Sequence, residues 1–576
     1  MAPQSGSEHP IEGLVDDYLA RRVSRQAFFR RAGAVGLSMS AAASILAACS
    51  SGRSGGSSGT APVTTGGGST NAGPVQKGGQ LVEGYDRDFS PLNPVLTAWD
   101  DPGFVAIYEY PLIRDANGAY KASMFESWTI SSDLLKWTFK LRPGLKFQSG
   151  AACDASVVAD NFNVFRNPNK GQNAIFWPAV KNVTAAGPTT VVVTMHTPFT
   201  AFPETLATEN SMVCNLQQVA SLGDKYGVTG ADGTGPFTLQ SYQPGTAVVV
   251  NRWADYPGSG VPFVTNKGAA YLDSVKWVPI VEVGRRADEI ETGSVNVVKN
   301  PAPQDISRLQ SNSKLVTTEF PALANFWISL DCSRSELGFD DVRVLQAISH
   351  AIDRKSLAES LYFGHAVGTY GPIAPNVRWY DKGVEQFNQF DLDKANALLD
   401  AAGWKKGSGG VREKNGQKLS WEHLADSGQP TTSPIIDQAV VAMLAKAGVD
   451  MNLKVVDDAT FNGQVYAGTK HPASWSYEWL WSSPIDLLVY FHVVPSDAYN
   501  GAIPAVKRAC AAWQSAGSID EMATAASALQ LAWAQYLPKI PILTTFNTWI
   551  AQDSVIGYNP IESMLYPLYN DVWLKS

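Results

Sequence analysis

Residues 339–354 read FDDVRVLQAISHAIDR, and this stretch is the strongest single guide to the fold. Val342, Leu345 and Ile348 recur every third position, a spacing that places side chains on one face of an α-helix. Asp341 precedes them, and an aspartate there can accept hydrogen bonds from the free backbone N–H groups of the first turn. The pattern predicts a helix that begins after Asp341 and packs one side against a core.

A second helix is predicted within FDLDKANALLDAAGW, residues 390–404. Asp391 stands at its start and Gly403 just past its end, the usual asymmetry of helix caps. Other short runs rich in apolar residues and bounded by turn residues are typical of β-strands. They lie at residues 80–85, 137–141, 191–195 and 247–250. This mixture indicates an α/β or α+β protein, and it shows no tandem repeat.

The first 48 residues predict an export signal. Arginines precede an apolar run at 32–48, which is too short and too rich in Gly, Ala and Ser for a membrane span of about 20 apolar residues. The run leads into LAAC at 46–49, which resembles the lipobox of bacterial lipoproteins. By that resemblance Cys49 carries the lipid, and a plain transmembrane anchor is the alternative.

Residues 24–30, SRQAFFR, resemble the twin-arginine export motif, with Gln26 in place of its second arginine. Export by the twin-arginine route and by the general secretory route therefore both stay open. Residues 49–79 are rich in Gly and Ser, and such a tract cannot bury enough apolar surface to become ordered. A lipid followed by a flexible tether predicts a protein held at the extracytoplasmic face of the cell membrane.

The composition describes a globular protein without features of a nucleic-acid binder. The chain has 576 residues, of which 45% are hydrophobic and 17% charged, and its net charge is -8 with no basic tract. Outside the cytoplasm its cysteines allow up to two disulfides in three pairings, but no spacing typical of a metal site. No metal or cofactor is expected. The cysteines in question are Cys153, Cys214, Cys332 and Cys510.

Six stretches in the correct order resemble the family 5 solute-binding proteins of ABC importers, the peptide- and nickel-binding class. Residues 339–354 are similar to the family pattern Pro-Phe-x-Asp-Val-Arg-Val-Arg-x-Ala … Ala-Ile-Asp-Arg, without its proline. Residues 390–404 are similar to its Tyr-Asp-x-x-Lys-Ala-x-x-Leu-Leu-x-x-Ala-Gly-aromatic helix. Ser156 and Asn296 stand where the family has an acid. The remaining stretches are WTFKLRPGLKFQSGAACDASVVADNFNVF at 137–165, GTGPF at 233–237, NRWADY at 251–256 and ETGSVNV at 291–297.

The resemblance implies an α/β, two-lobed periplasmic-binding-protein fold of type II, in the large class with an extra subdomain in lobe I. Two crossing strands near residues 323–329 and 542–548 would form the hinge, and the lobes would close over a ligand. The expected divisions are the export signal at 1–48, the tether at 49–79, lobe I at 80–324 with its extra subdomain at about 106–204, lobe II at 325–543, and a return to lobe I at 544–576. Most of the matched motifs are expected to be structural.

Residues 474–484, SWSYEWLWSSP, supply the main candidate for the binding site. In a strand, Trp475, Tyr477, Trp479 and Trp481 would all point to one side, because successive side chains alternate between faces. Flat aromatic surfaces stack on sugar rings, on hydrophobic peptide side chains or on cationic groups. The alternative is that two of the four rings belong to the core.

In the peptide-binding branch of the family, a segment before a proline supplies an aspartate that pairs with the peptide's α-amino group. Alignment on Pro484 places this aspartate at Leu480, so the usual anchor is missing. Glu478 and Asp486 are close enough in sequence to replace it. Further candidates for ligand contact are Asn325 and Trp327 on the first crossing strand and Trp99 near the N-terminus.

No sequence motif indicates catalysis. The seven histidines form no HExxH pattern, no Gly-x-Ser-x-Gly motif occurs before a predicted helix, and residues 407–410 lack the ending of a phosphate-binding loop. His471 and His492 flank the aromatic run, where a nickel or metallophore site is the alternative to surface or core histidines. The protein is therefore expected not to be an enzyme.

The resemblance implies a monomeric, lipid-anchored receptor that captures a small solute and delivers it to an ABC permease and its ATPase. Peptides are the expected cargo because most of the family carries them. An oligosaccharide or another non-peptide solute is the alternative, favoured by the missing anchor and the tryptophans. A surface hydrolase and a lipoprotein without a transport role are further alternatives.

Overall fold

The computed structural model describes residues 73–96, 101–170, 172–377, 379–427, 434–465, 471–480, 504–561 and 566–576. The strands in these ranges are β1 (Gln80–Tyr85), β2 (Leu112–Arg114), β3 (Tyr120–Ala122), β4 (Phe125–Ile130), β5 (Lys136–Leu141), β6 (Val180–Ala185), β7 (Thr190–Met195), β8 (Phe237–Gln243), β9 (Ala247–Arg252), β10 (Ser274–Pro279), β11 (Val297–Lys299), β12 (Leu315–Pro321), β13 (Ala324–Leu330), β14 (Ala366–Gly368), β15 (Lys405–Lys406), β16 (Arg412–Lys414), β17 (Gln417–Lys418), β18 (Ser420–Asp426), β19 (Asp450–Val456), β20 (Ser474–Leu480), β21 (Lys539–Gln552), β22 (Val555–Ile556) and β23 (Trp573–Leu574). The helices are α1 (Pro102–Ile107), α2 (Ala155–Phe165), α3 (Phe202–Leu206), α4 (Leu216–Leu222), α5 (Val283–Thr292), α6 (Pro303–Gln310), α7 (Val342–His350), α8 (Arg354–Tyr362), α9 (Leu392–Ala401), α10 (Pro434–Lys446), α11 (Asp458–Val465), α12 (Pro504–Gln514) and α13 (Ile519–Tyr536).

Both helices predicted from sequence are confirmed, together with their caps. The Asp341 carboxylate accepts a hydrogen bond from the Arg343 N–H at 3.0 Å, which starts α7. The Asp391 carboxylate accepts one from the Lys394 N–H at 2.9 Å, which starts α9. Gly403 lies just beyond α9 with a φ of +89°, a conformation that L-residues with a side chain rarely adopt.

A twelve-stranded sheet connects the two halves of the protein. Its order is β19-β18-β20-β13-β21-β11-β1-β10-β9-β8, and β12 and β14 also pair with β21. The long strand β21 pairs with β13 near its start and with β11 and β12 towards its end, so it passes from one half to the other. The predicted α/β fold with two crossing strands is confirmed, because β12 leads into β13 beside β21.

Lobe I carries an additional four-stranded sheet, β4-β5-β7-β6, against which α2 packs. The GTGPF segment, which leads into β8, packs closely against the end of α1. A Cβ atom on Gly233 would lie 2.1 Å from the Ile107 carbonyl oxygen, and one on Gly235 would lie 2.6 Å from that of Ala106. Only glycine allows so close an approach of the two backbones, which explains the motif as a structural one.

Lobe II has a core of its own. Leu345 and Ile348 from α7 pack there with Leu399 from α9 and Leu444 from α10, against Ile540 at the start of β21. Full burial of one such side chain contributes roughly 1.5–3 kcal/mol. The helical periodicity seen in the sequence therefore corresponds to this core face.

The four cysteines of the body are free thiols in the structure. Cys153 and Cys214 are buried, whereas Cys332 and Cys510 are partly exposed. The two disulfides that the sequence allowed are therefore not formed. Burial raises the pKa of all four thiols above the ordinary value, which disfavours the reactive thiolate. Within the described residues, no helix has both the length and the apolar character required to cross a membrane.

Candidate functional site

The predicted aromatic strand is β20, which lies between β18 and the crossing strand β13. Antiparallel pairing with β13 sets Trp327 opposite Tyr477 and Asn325 opposite Trp479. Because successive side chains of a strand alternate in direction, β20 has one aromatic face and one polar face.

On the aromatic face, Trp475 is part of the core. Only 2% of its surface is exposed, and its ring packs edge-on against Phe461 and Tyr477, with centroids 5.8 and 6.3 Å apart. The Lys539 ammonium lies 4.6 Å from the centroid of the Trp475 ring. Tyr477 is partly exposed and stacks on Phe461 at 5.8 Å. Tyr477 is thus the better placed of these two rings to contact a solute.

On the polar face, three side chains are arranged like the Ser-His-Asp triad of hydrolases. Ser474 Oγ lies 2.6 Å from His423 Nδ1, and His423 Nε2 lies 3.2 Å from Asp437 Oδ1. Ser476 Oγ donates to Asp437 Oδ2 at 2.7 Å, and Trp421 Nε1 donates to Ser474 Oγ at 2.6 Å. The sequence shows no sign of this contact because β18, α10 and β20 each contribute a part.

The network is closed to solvent. A carboxylate only accepts, so His423 Nε2–H donates to Asp437, and His423 Nδ1 accepts from the Ser474 hydroxyl. Ser474 and His423 are both 0% exposed, so no substrate carbonyl can reach the hydroxyl. The arrangement satisfies buried polar groups and ties β20 to β18 and α10.

Glu478 ends the polar face and is half-buried. The hydrogen bond that it accepts, from Thr545 Oγ1, is long at 3.3 Å. Burial, with a smaller contribution from the charge of Asp86, raises the pKa of Glu478 to about 7, against the opposing effects of the Thr545 bond and the Lys299 charge. Glu478 in lobe II therefore lies within electrostatic range of two charged residues of lobe I.

Asp86 follows the first strand of lobe I and is 4% exposed. Its Oδ2 accepts from Asn300 Nδ2 at 2.7 Å and lies 3.8 Å from Lys299 Nζ. Its Oδ1 has no hydrogen-bond partner among the described residues. Burial alone would raise the pKa of Asp86, but the charges of Lys299, Arg87 and Arg286 outweigh burial, and the pKa lies below its usual value. Asp86 is therefore an ionised carboxylate with one unused oxygen.

Lys299 is held in place by aromatic residues of lobe I. Its ammonium donates to the Tyr85 hydroxyl at 3.0 Å and lies 4.5 Å from the centroid of that ring. The rings of Tyr566 and Trp549 follow at 5.6 and 5.8 Å. Such contacts stabilise a buried cation and fix its position. In the described part of the chain, no cluster of three or more His, Cys, Asp or Glu side chains is suited to a metal ion.

The profile of the family described as bacterial extracellular solute-binding proteins, family 5 middle, matches residues 119–497. The chain belongs to this family.

Curated relatives of this family 5 protein include glutathione-binding proteins. The chain is 30% identical over 284 residues to the glutathione-binding protein GsiB of Pectobacterium atrosepticum, which is 49% of this chain and 52% of that protein. It is 28% identical over 294 residues to GsiB of Salmonella typhimurium, which is 51% of this chain and 55% of that protein. The chain thus spans about half the length of the curated relatives it matches.

Solved structures share the two-lobed fold. The oligopeptide-binding protein AppA of Bacillus subtilis, in complex with a nonapeptide, superposes with a TM-score of 0.70 at 18% identity, covering 87% of this chain and 100% of that one. NikA of Brucella suis, in complex with Fe(III)-EDTA, gives a TM-score of 0.73 at 21% identity, covering 86% and 100%. At these identities the likeness establishes the fold, and the ligands belong to those proteins.

Two predicted site residues of this family 5 protein, Asn325 and Trp327, lie on the crossing strand β13 and are buried. Asn325 is 0% exposed, donates to the Gly371 carbonyl at 3.3 Å and accepts from Thr544 Oγ1 at 2.5 Å. Trp327 is buried and packs edge-on against Trp533 at 5.4 Å. In this conformation neither side chain offers surface to a solute, and their role in binding stays a prediction.

Several other predicted site residues lie outside the described residues. The side chain of Trp479 is outside the described part of the structure, and so are the whole residues Trp99, Trp481, Asp486, His492 and Cys49. The predictions for these residues stay predictions. The backbone of Trp479 is placed in β20, opposite Asn325.

Sequence reasoning missed Asp86 and Lys299. Each lies at or just past the carboxyl end of a short strand, and β1 and β11 are parallel neighbours, with Gly84 opposite Val298. Parallel pairing brings the carboxyl ends of both strands to one edge, where ligands bind in many α/β proteins. Charged residues at the ends of these two strands could have indicated the site, but only if the pairing of β1 with β11 had been known.

Proposed function

We propose that this family 5 protein is the extracytoplasmic substrate-binding component of an ABC importer, and that it captures peptides between its lobes and delivers them to the permease and its ATPase. The observation that carries the proposal is Glu478 of β20, whose carboxyl group accepts a long hydrogen bond from Thr545 at 3.3 Å and lies within electrostatic range of Asp86 and Lys299 of lobe I. The two carboxyl groups share one nearby buried cation, Lys299. A site of this charge suits a solute that brings an ammonium group of its own.

Glu478 takes over the anchoring role in this proposal. Leu480 occupies the position at which the peptide-binding branch has its aspartate, and a buried ammonium without a partner costs several kcal/mol. Glu478 lies two residues before Leu480, on the polar face of the same strand, and supplies the missing carboxylate. The peptide backbone would be held by main-chain hydrogen bonds, as an added strand is. The glutathione and nonapeptide ligands named for relatives belong to the same chemical class.

The proposal includes the extracytoplasmic membrane location, with lipid on Cys49, and a monomeric state. The proposal also holds that the protein is not an enzyme, so it makes and breaks no covalent bond in its solute. The Ser474–His423–Asp437 network supports this part, because it is sealed within lobe II and its hydroxyl already serves two hydrogen bonds.

An oligosaccharide is the second candidate, and the aromatic face of β20 favours it. Tyr477 is partly exposed, and Trp479 and Trp481 are proposed as further rings of the same wall. Under either ligand class, Trp479→Ala or Trp481→Ala is expected to weaken capture by about 1–3 kcal/mol, the range found for aromatic stacking elsewhere. Titration calorimetry with the retained solute measures this loss, and unchanged affinity in both variants would remove the rings from the site.

The decisive experiment identifies what the cleft retains. Full-length protein in detergent is mixed with equal amounts of di- to pentapeptides, glutathione, maltooligosaccharides and cellooligosaccharides, and bound species are read by native mass spectrometry. Retention of peptides supports the proposal, and retention of sugars alone would replace it with the second candidate. Cleaved peptides would indicate a hydrolase, and an empty cleft would favour a lipoprotein without a transport role.

A further inference from the structure

Trp379 makes a direct contact between the two lobes. Its indole Nε1 donates to Glu204 Oε1 at 3.2 Å. Glu204 lies on α3 of lobe I, whereas Trp379 lies in lobe II, between β14 and α9. The chain connects these two residues through β12 and β13, which belong to the hinge. A rotation of the lobes about the hinge therefore changes the distance between Trp379 and Glu204.

Each partner of this contact is fixed within its own lobe. In lobe II, Gln530 of α13 is 0% exposed, and its Nε2 donates to the Trp379 carbonyl at 2.7 Å. The Oε1 atom of Gln530 accepts from the Asp381 N–H at 2.9 Å. In lobe I, Glu204 is 2% exposed, and its Oε2 lies 3.9 Å from Arg114 Nη1. The contact therefore depends on the relative position of the two lobes.

Further contacts join the same two parts of the molecule. Thr200 Oγ1 of lobe I donates to the Ala516 carbonyl, in the turn between α12 and α13, at 3.2 Å. A Cβ atom on Gly517, in the same turn, would lie 3.2 Å from Leu134 Cδ1 of lobe I. Apolar residues of α3 and α13 are buried in one shared core. Lobe I thus meets the pair of helices α12 and α13 at several points.

The bond from Trp379 to Glu204 is expected to be the strongest of these polar contacts. Its acceptor is a buried carboxylate, and hydrogen bonds to charged groups are roughly twice as strong as those between neutral groups. The bond from Thr200 to the Ala516 carbonyl joins two neutral groups. Deletion of the indole donor should therefore favour separation of the lobes more than deletion of the Thr200 hydroxyl.

We propose that Trp379 and Glu204 form an interlobe latch that favours the closed arrangement of the lobes, before capture of a solute as well as after it. The latch acts by raising the population of closed protein, and it thereby slows the release of a bound solute. Trp379 and Glu204 are positioning residues in this inference, because they act through the lobes and not through contact with the solute. The inference rests on the two-lobed fold, and it applies to a peptide and to an oligosaccharide alike.

The first test measures closure without any solute. Small-angle neutron scattering of the full-length protein, in detergent whose scattering is matched to that of the solvent, gives the radius of gyration. Trp379→Phe keeps an aromatic ring and deletes the N–H donor, so we expect a larger radius than in the natural protein. Trp177→Phe is the matched control, since Trp177 Nε1 donates to the Asn210 carbonyl at 3.1 Å within lobe I. Equal radii in Trp379→Phe and the natural protein would overturn the inference, whatever the protein binds.

The second test measures release. Full-length protein is loaded from the mixture of di- to pentapeptides, glutathione and oligosaccharides and then diluted, and the bound species are followed over time by native mass spectrometry. Trp379→Phe should release its solute at least about tenfold faster than the natural protein, whereas the association rate should not fall, because a solute enters the open arrangement. Thr200→Val should release it about threefold faster. Thr205→Val is the control for Thr200→Val, since the Thr205 hydroxyl donates to the Phe176 carbonyl at 3.2 Å within lobe I.

The outcomes separate this inference from the proposed function. Faster release in Trp379→Phe but not in Trp177→Phe supports the latch. Release at the natural rate in Trp379→Phe would overturn the latch and leave capture of the solute intact. Equally faster release in Trp177→Phe would also overturn it, because the change would then follow from a general loss of stability. If the natural protein retains nothing from the mixture, the proposed function fails, and the radius of gyration decides whether the latch exists.

Discussion

Two carboxyl groups in different parts of the molecule have a pKa raised to about 7, Glu83 in β1 of lobe I and Glu478 in β20 of lobe II. Burial is the main cause in both cases. Glu83 is 1% exposed and accepts hydrogen bonds from Tyr558 Oη at 2.8 Å, Tyr569 Oη at 2.9 Å and Trp277 Nε1 at 3.1 Å. Among the described residues, Glu478 accepts one bond, at 3.3 Å from Thr545.

The comparison indicates that a raised pKa reports burial, and that the supply of donors is what distinguishes the two carboxyl groups. Glu83 has donors for both oxygens and fastens the C-terminal segment, through Tyr558 and Tyr569, to β1. Glu478 has one weak donor in the part of the chain that the structure describes, Thr545, and the charge of Asp86 repels its own. A satisfied buried group stabilises the fold, whereas an unsatisfied one in a cleft is suited to bind what it lacks.

The largest expected effect is on stability at Glu83. Glu83→Ala removes the acceptor of the Tyr558 and Tyr569 hydroxyls and one of the two acceptors of Trp277 Nε1. An unsatisfied buried donor costs about 1–3 kcal/mol, so we expect a loss of about 3–5 kcal/mol in the free energy of unfolding. Urea denaturation of the solute-free full-length protein at pH 6 measures the loss. Peptide capture by the folded fraction should persist.

Glu478→Ala is the matched variant for the same measurement. It removes a carboxyl group with one weak donor, so the free energy of unfolding should stay within about 1 kcal/mol of the natural protein. A loss as large as that of Glu83→Ala would make Glu478 a structural group, and the contrast between the two regions would disappear.

The second expected effect is a pH-dependent difference between Glu478→Gln and the natural protein. The folded pKa of Glu478 is about 7 against an ordinary value of 4.5, so the folded state holds the proton more tightly than the unfolded state. The stabilisation from this proton is complete below pH 4.5 and is lost as the pH rises through 7. The substituted glutamine does not titrate, so between about pH 4.5 and pH 8 the variant should gain about 1–3 kcal/mol relative to the natural protein.

Urea denaturation of both solute-free proteins at pH 5 and pH 8 measures this gain. Glu83 titrates in both proteins, so its contribution cancels in the difference. A difference that does not change with pH would show that Glu478 is ionised throughout this range, and its pKa would then be an ordinary one.

Local signals in the sequence were sufficient for much of the fold. The helix after Asp341 and the helix between Asp391 and Gly403 were predicted with their caps, because capping depends on residues within one turn. The aromatic strand was predicted from its period of two. The family resemblance predicted the crossing strands near residues 323–329 and 542–548, and the structure has β13 and β21 at these positions.

The site was only partly predictable because its parts meet through pairing of distant strands. Glu478 was a candidate anchor because it lies two residues before Leu480. Asp86 and Lys299, in contrast, become neighbours only when β1 pairs with β11. Trp327 and Asn325 were predicted as cleft residues from their strand alone. Packing of β13 against β21 and α13 encloses both side chains, and no local pattern reports that.

A smaller effect is expected from removing single donors of Glu83. Tyr558→Phe deletes one hydrogen bond and should cost about 1 kcal/mol in the free energy of unfolding. Tyr569→Phe should cost about twice as much, because the Tyr569 hydroxyl also accepts from Trp277 Nε1 at 3.0 Å. Urea denaturation of both variants gives this order, and the reverse order would show that Tyr558 is the stronger fastening of the C-terminal segment.

The smallest expected effect on stability is at the donor of Glu478. Thr545→Val keeps the shape of the side chain and removes one long hydrogen bond, so stability should change by less than about 0.5 kcal/mol. The pKa of Glu478 should nevertheless rise, because the Thr545 bond lowers it. Thr544→Val is the control, since the Thr544 hydroxyl donates to Asn325 and not to Glu478. Under the proposed function an ionised Glu478 binds an ammonium group more strongly than a protonated one, so peptide binding should strengthen as the pH rises through the pKa of Glu478. The midpoint of this rise should move upward in Thr545→Val alone. An equal shift in both variants would attribute it to strand β21 rather than to the donor of Glu478.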